Sequence, residues 1–398
     1  MNVHATLRRL SWIVVVGLVL LLVAACSSAP TPAAPAQSAG QSAPAQAGGA
    51  PAAAAKLSAV CPNPLVIQMN FLPEAVRGGL IGMIDPAKAT VDPKKAALVG
   101  PAVADPSLTV EVRAGGPAAG NQDAMTLMFQ NPEVLLADTN MDQMIEQSKA
   151  LPTVGVLAPL VKHPQIFMWN PQEHDFKKIE DIRDSKAVVL VTSNAIYADV
   201  LAGKGLLDKK QIDYSYNFSP ARFVAENGKI VQQGFATSEP FLYETAVKDW
   251  KKPVQYLLIA DSGYENYANV LAARASDVTG KADCFKALVP ALQKAYIDFM
   301  ANPEPVKAKI VEFSKGINSP SPQTPESVDF AVKVMRDKGI VANTPNAGYG
   351  AFDTARVDRF IKDILPVFQA KGSSKFDANL KADKLVTNQF VDQKLGLK

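Results

Sequence analysis

The residues able to do covalent chemistry are few and scattered. Beyond the first 25 residues the chain holds three cysteines, Cys26, Cys61 and Cys284, and two histidines, His163 and His174. Neither histidine has a partner at the spacing of a zinc-binding helix, and three cysteines so far apart cannot build an iron cluster, so no metal site is expected. His163, before Pro164, and His174, within Glu173-His174-Asp175, read as surface or loop histidines. The sequence has no G-x-S-x-G elbow, no phosphate loop and no H-E-x-x-H helix. Catalytic residues and cofactors are therefore not expected, and the chain is not read as an enzyme.

What remains are groups that can hold a molecule. Gly115-Gly116-Pro117 follows a strand and precedes a helix, where backbone amides can receive an anion or a carbonyl oxygen; a tight turn that demands glycine gives the same sequence. Thr192 and Ser193 stand at the start of a helical pattern running through Tyr197, a placement that suits a ligand or simple capping. Glu239, before Pro240, is either a first-turn charge set against the helix dipole or a hydrogen-bond acceptor for a ligand. Tyr197, Tyr214, Tyr216, Phe218, Tyr264 and Tyr267 gather in the same region. Phenols at strand ends suit either packing or a cleft for a flat, polar-edged molecule.

These groups need a scaffold, and the pattern supplies an α/β one. Leu65 to Met69, Leu108 to Val112, Glu133 to Ala137, Thr153 to Leu157, Ala187 to Val191 and Val254 to Ile259 read as strands separated by helical stretches. That alternation predicts mainly parallel sheets flanked by helices, with ligands beyond the strands' carboxyl ends. The last third turns helical. Phe285, Leu288, Val289, Leu292, Tyr296 and Phe299 recur at steps of three and four, as do Val357, Phe360, Ile361, Ile364, Leu365 and Phe368. Thr324-Pro325-Glu326 has the form of a helix start, with an end near Lys338-Gly339. Asp85 to Asp105, crossed by prolines, reads as a long surface loop.

The amino-terminal end adds a location. Arg8 and Arg9 precede the apolar run Ile13 to Ala24, which stops at Val23-Ala24-Ala25-Cys26. At about a dozen residues the run falls short of the roughly 20 of a spanning helix and has the order of an export signal. Small residues before Cys26 suit a lipoprotein signal peptidase, which predicts a signal over residues 1–25 and a lipid on Cys26. Residues 26–56 are built almost wholly of small and uncharged residues and read as a flexible tether. The folded part then begins near Leu57, is long enough for two lobes, and lies outside the cytoplasm. There Cys61 and Cys284 either pair or stay as buried thiols. A net charge of +3 with 20% charged residues gives no basic stripe of the kind nucleic acid demands.

In order along the chain, several segments resemble the solute-binding lipoproteins of ABC importers, the group that includes nitrate, alkanesulfonate, taurine and thiamine-pyrimidine binding proteins. They are Val66 to Ala75, Gly115-Gly116, Leu157-Ala158-Pro159-Leu160, Ile179-Glu180-Asp181-Ile182, Ser238-Glu239-Pro240-Phe241 and Tyr267 to Arg274. The resemblance implies a type II periplasmic-binding fold, with lobe one at residues 57–159 and 271–398, lobe two at residues 160–270, and a hinge near 159–161 and 269–271. It implies a monomer that encloses a small solute as the lobes close and delivers it to a membrane permease. By position it carries cleft contacts to Asn70, Phe71, Gly115, Gly116, Thr192, Ser193, Tyr197 and Glu239; Tyr264 and Tyr267 join them from their place near the return crossing. Two departures separate this chain from the pattern: the long 85–105 segment, and Phe71 where many members carry tryptophan. An acidic Glu239 in the cleft disfavours a small anion and favours a nitrogen heterocycle such as a thiamine-pyrimidine precursor or a flavin, with sulfonates, taurine or nitrate as the alternative. A tethered sensor that presents its ligand to a receptor kinase is the other role such a lipoprotein can fill.

Overall fold

The computed structural model describes residues 56–398; the signal and lipid-anchor expectations, Cys26 included, lie outside the described residues. Twelve strands make two sheets: β1 (Leu65–Gln68), β2 (Thr90–Asp92), β3 (Ala97–Pro101), β4 (Thr109–Arg113), β5 (Val134–Thr139), β6 (Thr153–Leu157), β7 (Gln165–Trp169), β8 (Val189–Leu190), β9 (Ile212–Asp213), β10 (Val231–Phe235), β11 (Gln255–Leu258) and β12 (Val270–Arg274). The first sheet runs β2-β3-β4-β1-β5-β12-β6 and the second β11-β7-β10-β8-β9. The chain passes from the first sheet to the second between β6 and β7 and returns at β12, which inserts between β5 and β6.

Both sheets are mixed, where the alternation predicted mainly parallel ones. In the first sheet β1 pairs parallel with β4 and β5, while β12 runs antiparallel to β5 and β6 because it arrives from the second sheet. In the second sheet β10, β8 and β9 are parallel, and β7 alone runs against its neighbours, antiparallel to β10 on one side and to β11 on the other. Helical crossovers connect the parallel strands; the antiparallel ones fall where the chain turns back or crosses between sheets.

The 85–105 segment is not a surface loop. It forms the hairpin β2–β3 on the edge of the first sheet, extended by a bridge between Ile84 and Ala102. Ala97, Leu98 and Ala102 are fully buried there. The prolines misled because each sits where no ladder donor is needed: Pro93 in the turn, Pro101 at the strand's end, Pro86 and Pro106 outside it. β7, β9, β10 and β12 went unread as strands. β10 reads as polar, Val-Gln-Gln-Gly-Phe, yet its first four residues are buried.

The helical last third follows its pattern. The Ala282–Ala301 helix buries all six residues of the first stripe, and the Thr354–Ala370 helix buries five of the second, with Leu365 half-covered. Thr324 Oγ1 accepts from the Ser327 amide at 3.2 Å and opens the Pro325–Asp337 helix, which stops before Gly339 at φ +59°. Cys61 and Cys284 are joined by a disulfide that ties the start of the described chain to the Ala282–Ala301 helix across 223 residues of sequence. His163 is buried rather than exposed. Its Nδ1 accepts from the Gln165 amide at 3.2 Å, and burial depresses its pKa to about 4, so the ring is neutral. His174 stacks on Phe176 and meets the Lys229 carbonyl at 2.7 Å. Among the described residues no helix is long and apolar enough to cross a membrane, and no group of three candidate ligands surrounds a metal position.

Candidate functional site

The carboxyl ends of β1, β4 and β5 form one wall. Gly115 is required there by close packing, since a Cβ would lie 2.1 Å from the Met69 carbonyl oxygen. Gly116 adopts φ +58° beneath the Phe71 ring, so both glycines have structural reasons to be glycine. Below them lies a buried polar network that sequence reasoning missed. Arg77 Nε donates to Asp138 Oδ2 at 2.7 Å, Nη1 reaches Glu74 Oε2 at 3.2 Å, and Nη2 bonds Asn70 Oδ1. Asn269, where the chain returns from the second sheet, donates to Asp138 Oδ1 at 3.0 Å. Asp138 is fully buried and Arg77 only 5% exposed. A guanidinium so deep needs such partners, and having them it is neutralised in place. A lone charge within the apolar Ala75 to Ile81 run was the sequence signal for Arg77.

The second wall is the carboxyl edge of β8, β9 and β10. Gln233 Oε1 accepts from the Thr192 amide at 2.8 Å, Thr192 Oγ1 at 3.2 Å and Tyr197 Oη at 2.7 Å. Three converging donors fix that atom as oxygen. Thr192 and Tyr197 thus spend their donors on orienting Gln233, whereas Ser193 is exposed. On the other face of β10, Gln232 Nε2 donates to Tyr243 Oη at 2.7 Å and Tyr216 Oη at 3.3 Å. Its Oε1 is buried without a partner among the described residues.

Glu239 sits in the first turn of the Glu239–Thr245 helix and folds back over the end of β10. Its Oε2 accepts from the Phe235 amide at 2.6 Å and from Ser238 Oγ at 2.8 Å. Desolvation raises its pKa to about 7 against those two bonds, with the nearby negative charge of Glu74 adding to the rise. Burial also lifts the Glu74 carboxyl above its ordinary range, against the pull of Arg77. Glu74, Ala75 and Val76 of the first wall and Thr237 and Ser238 of the second line one cavity of about 10 Å³, together with Gln323 and Ala331. That is roughly the room of one water, so the two walls meet here. Phe241, on the Glu239–Thr245 helix, packs on Phe330 of the Pro325–Asp337 helix with ring centroids 5.5 Å apart.

Tyr267 is not drawn into this set, and Tyr264 reaches it through an edge-on contact with the Tyr197 ring, centroids 6.2 Å apart. Tyr264 donates to Asp142 Oδ2 at 3.0 Å and packs edge-on to Phe360. Tyr267 lies under the Arg356 guanidinium at 3.9 Å, and its hydroxyl accepts from the Asp353 amide. Both are buried in the apolar core.

The model of the NMT1/THI5-like family matches residues 108–306, half of the 398-residue chain, from β4 through the second sheet and into the last third. The chain belongs to the NMT1/THI5-like family. Solved structures agree on the fold of this NMT1/THI5-like protein. A periplasmic sulfonate-binding protein of Methylobacillus flagellatus matches with a TM-score of 0.52 at 13% identity, covering 83% of this chain and 94% of its own. The periplasmic aliphatic sulphonate binding protein of Escherichia coli gives 0.51 at 12%, over 78% and 88%. An ABC transporter protein of Parabacteroides distasonis gives 0.50 at 12%, over 82% and 100%. At such identities the likeness is one of fold: the two-lobe architecture of periplasmic binding proteins. No curated protein matches the sequence significantly.

Proposed function

We propose that this NMT1/THI5-like protein is the extracytoplasmic solute-binding component of an ABC importer, a binding protein rather than an enzyme. It is exported by residues 1–25, held to the membrane by lipid on Cys26 and the 26–56 tether, and hands its solute to a permease as a monomer. The lobes, residues 57–159 with 271–398 and residues 160–270, close on the solute about the two crossings, and the solute favours the closed form by touching both walls. Family membership and the two-lobe fold support the role.

The solute is a nitrogen heterocycle such as a thiamine-pyrimidine precursor or a flavin. One observation carries this: Glu239 Oε2 is committed to Phe235 and Ser238, while Oε1 has no partner among the described residues. An acceptor held at the edge of the second sheet suits an N–H or protonated ring nitrogen. Alkanesulfonate, taurine or nitrate is the alternative, and it needs a free cation. Arg77, the buried cation of the first wall, is already paired with Asp138 and Glu74. A thermal-shift screen against thiamine, riboflavin, nucleobases, taurine, alkanesulfonates and nitrate tests the reading. Stabilisation by a heterocycle supports it; stabilisation by a sulfonate alone rejects the solute assignment and keeps the binding role. A permease and ATPase encoded beside the gene, rather than a receptor kinase, separates import from sensing.

A further inference from the structure

We propose that Phe218 is an aromatic lid residue of this site, stacking on a planar solute and setting the preference for flat rings; the proposal rests on the solute-binding reading above. Nine residues other than glycine adopt positive φ among the described residues, and five of them are asparagines, which tolerate that region. Phe218, at φ +66°, is the one aromatic among them. A bulky side chain there strains the backbone, and such strain gathers at ligand clamps and switch segments.

The ring also gains little from the protein. Phe218 is 61% exposed, one of two large hydrophobic residues left so open among the described residues. Its contact is Tyr216, with centroids 5.5 Å apart and planes tilted by 47°. A strained backbone that places an apolar ring in water is a double cost without folding benefit.

Location gives the ring a use. The segment after β9 crosses the carboxyl edge of the second sheet, where the Tyr216 amide donates to the Val191 carbonyl at 3.0 Å, one residue before Thr192. Tyr216 Oη meets Gln232 Nε2 at 3.3 Å, and the Glu239 carboxylate is close enough to help lift the Tyr216 pKa, after desolvation. Phe218 therefore stands beside the tyrosine that borders both Glu239 and the unpartnered Gln232 Oε1. A flat solute whose edge meets Glu239 presents a face for the Phe218 ring to cover, in the offset or edge-on contacts aromatic rings prefer. A compact tetrahedral sulfonate offers no such face.

Phe218→Gly and Phe218→Trp test this by calorimetric titration of the purified protein with riboflavin, thiamine and cytosine, with taurine as the non-planar probe. Glycine accepts the positive φ without strain, so the solute-free melting temperature of Phe218→Gly stays level or rises, which separates lost binding from lost folding. The expected result is that the planar probe bound by the native protein binds Phe218→Gly about tenfold more weakly or worse and keeps its affinity for Phe218→Trp. Unchanged affinity in Phe218→Gly overturns the lid and leaves the solute-binding reading standing. A native protein that binds taurine but no planar probe, or none of the four, overturns the lid together with the heterocycle reading.

Discussion

Glu239 Oε2 receives the Phe235 amide at 2.6 Å, a bond that folds the carboxylate back over the strand from which it has just emerged. One oxygen is thereby fixed to the scaffold and the other left open, at a place where Glu74 approaches from the opposite wall. The acid is oriented and partly desolvated before any solute arrives.

That arrangement carries a pH signature. Glu239 binds its proton more tightly folded, at about 7, than at its ordinary 4.5, so its contribution to stability is present at acid pH and is lost as pH rises from 4.5 through 7. Glu239→Gln removes the titration. The variant is expected to gain on the native protein above pH 7, by roughly 1–3 kcal/mol in urea unfolding once the partial exposure of Glu239 is discounted, and to show no such gain near pH 4. A difference between the two proteins that does not vary with pH contradicts the account.

His163 works in the opposite sense. Its folded pKa of about 4 lies below the ordinary 6.5, so the unfolded chain binds the extra proton and stability falls as pH drops from 6.5 towards 4. Replacing His163 with Gln removes that acid-side loss, so the variant gains on the native protein by up to about 3 kcal/mol as pH falls across the window. Because Glu239 and His163 act with opposite signs over overlapping ranges, the native profile is flatter than either variant's, and the pair of variants separates them.

The Arg77–Asp138 pair is the buried joint beneath the first wall. Arg77→Met leaves Asp138 charged and buried with only Asn269 and a long contact to the Asn70 amide, and is expected to cost about 3–5 kcal/mol. Adding Asp138→Leu removes the stranded charge and recovers much of that loss. A double-mutant cycle in urea measures it, and additive losses disprove the coupling.

The Cys61–Cys284 bond closes a loop of 223 residues. Replacing both cysteines with alanine should lower unfolding stability by about 2–5 kcal/mol. Solute affinity should be unchanged, because Cys61 precedes the amino end of β1 whereas the first wall is built at its carboxyl end. A fall in affinity would show that it reaches the site.

The fold was largely legible because the sequence alternates short β-rich runs with helical ones and ends in amphipathic stripes such as Phe285 to Phe299. What escaped was strand direction. No residue of Val270 to Arg274 announces that the chain is returning from another sheet, and hydrophobic pattern carries no polarity. β10 escaped because Gln232 and Gln233 look like surface residues until their partners are in place, Tyr243 from the helix that follows the strand and Tyr197 from one 36 residues earlier. In the candidate site, Thr192 and Glu239 stand out in the sequence by their position after a strand. Gln233, Arg77 and Asp138 do not, since their meaning lies in pairings across 36 to 131 residues of sequence. Tyr264 and Tyr267 stand near the return crossing in sequence but turn into the core, a choice of face that spacing alone does not fix.

Calorimetric titration of the purified protein with riboflavin, thiamine and cytosine, at pH 8 and again at pH 5, tests the central claim most directly. The account predicts that one of them binds, that Glu239→Gln weakens it by about tenfold or more at pH 8, and that acidification through 7 weakens native binding as the carboxylate is protonated. Binding of taurine or nitrate in their place, unaffected by Glu239→Gln, would contradict it.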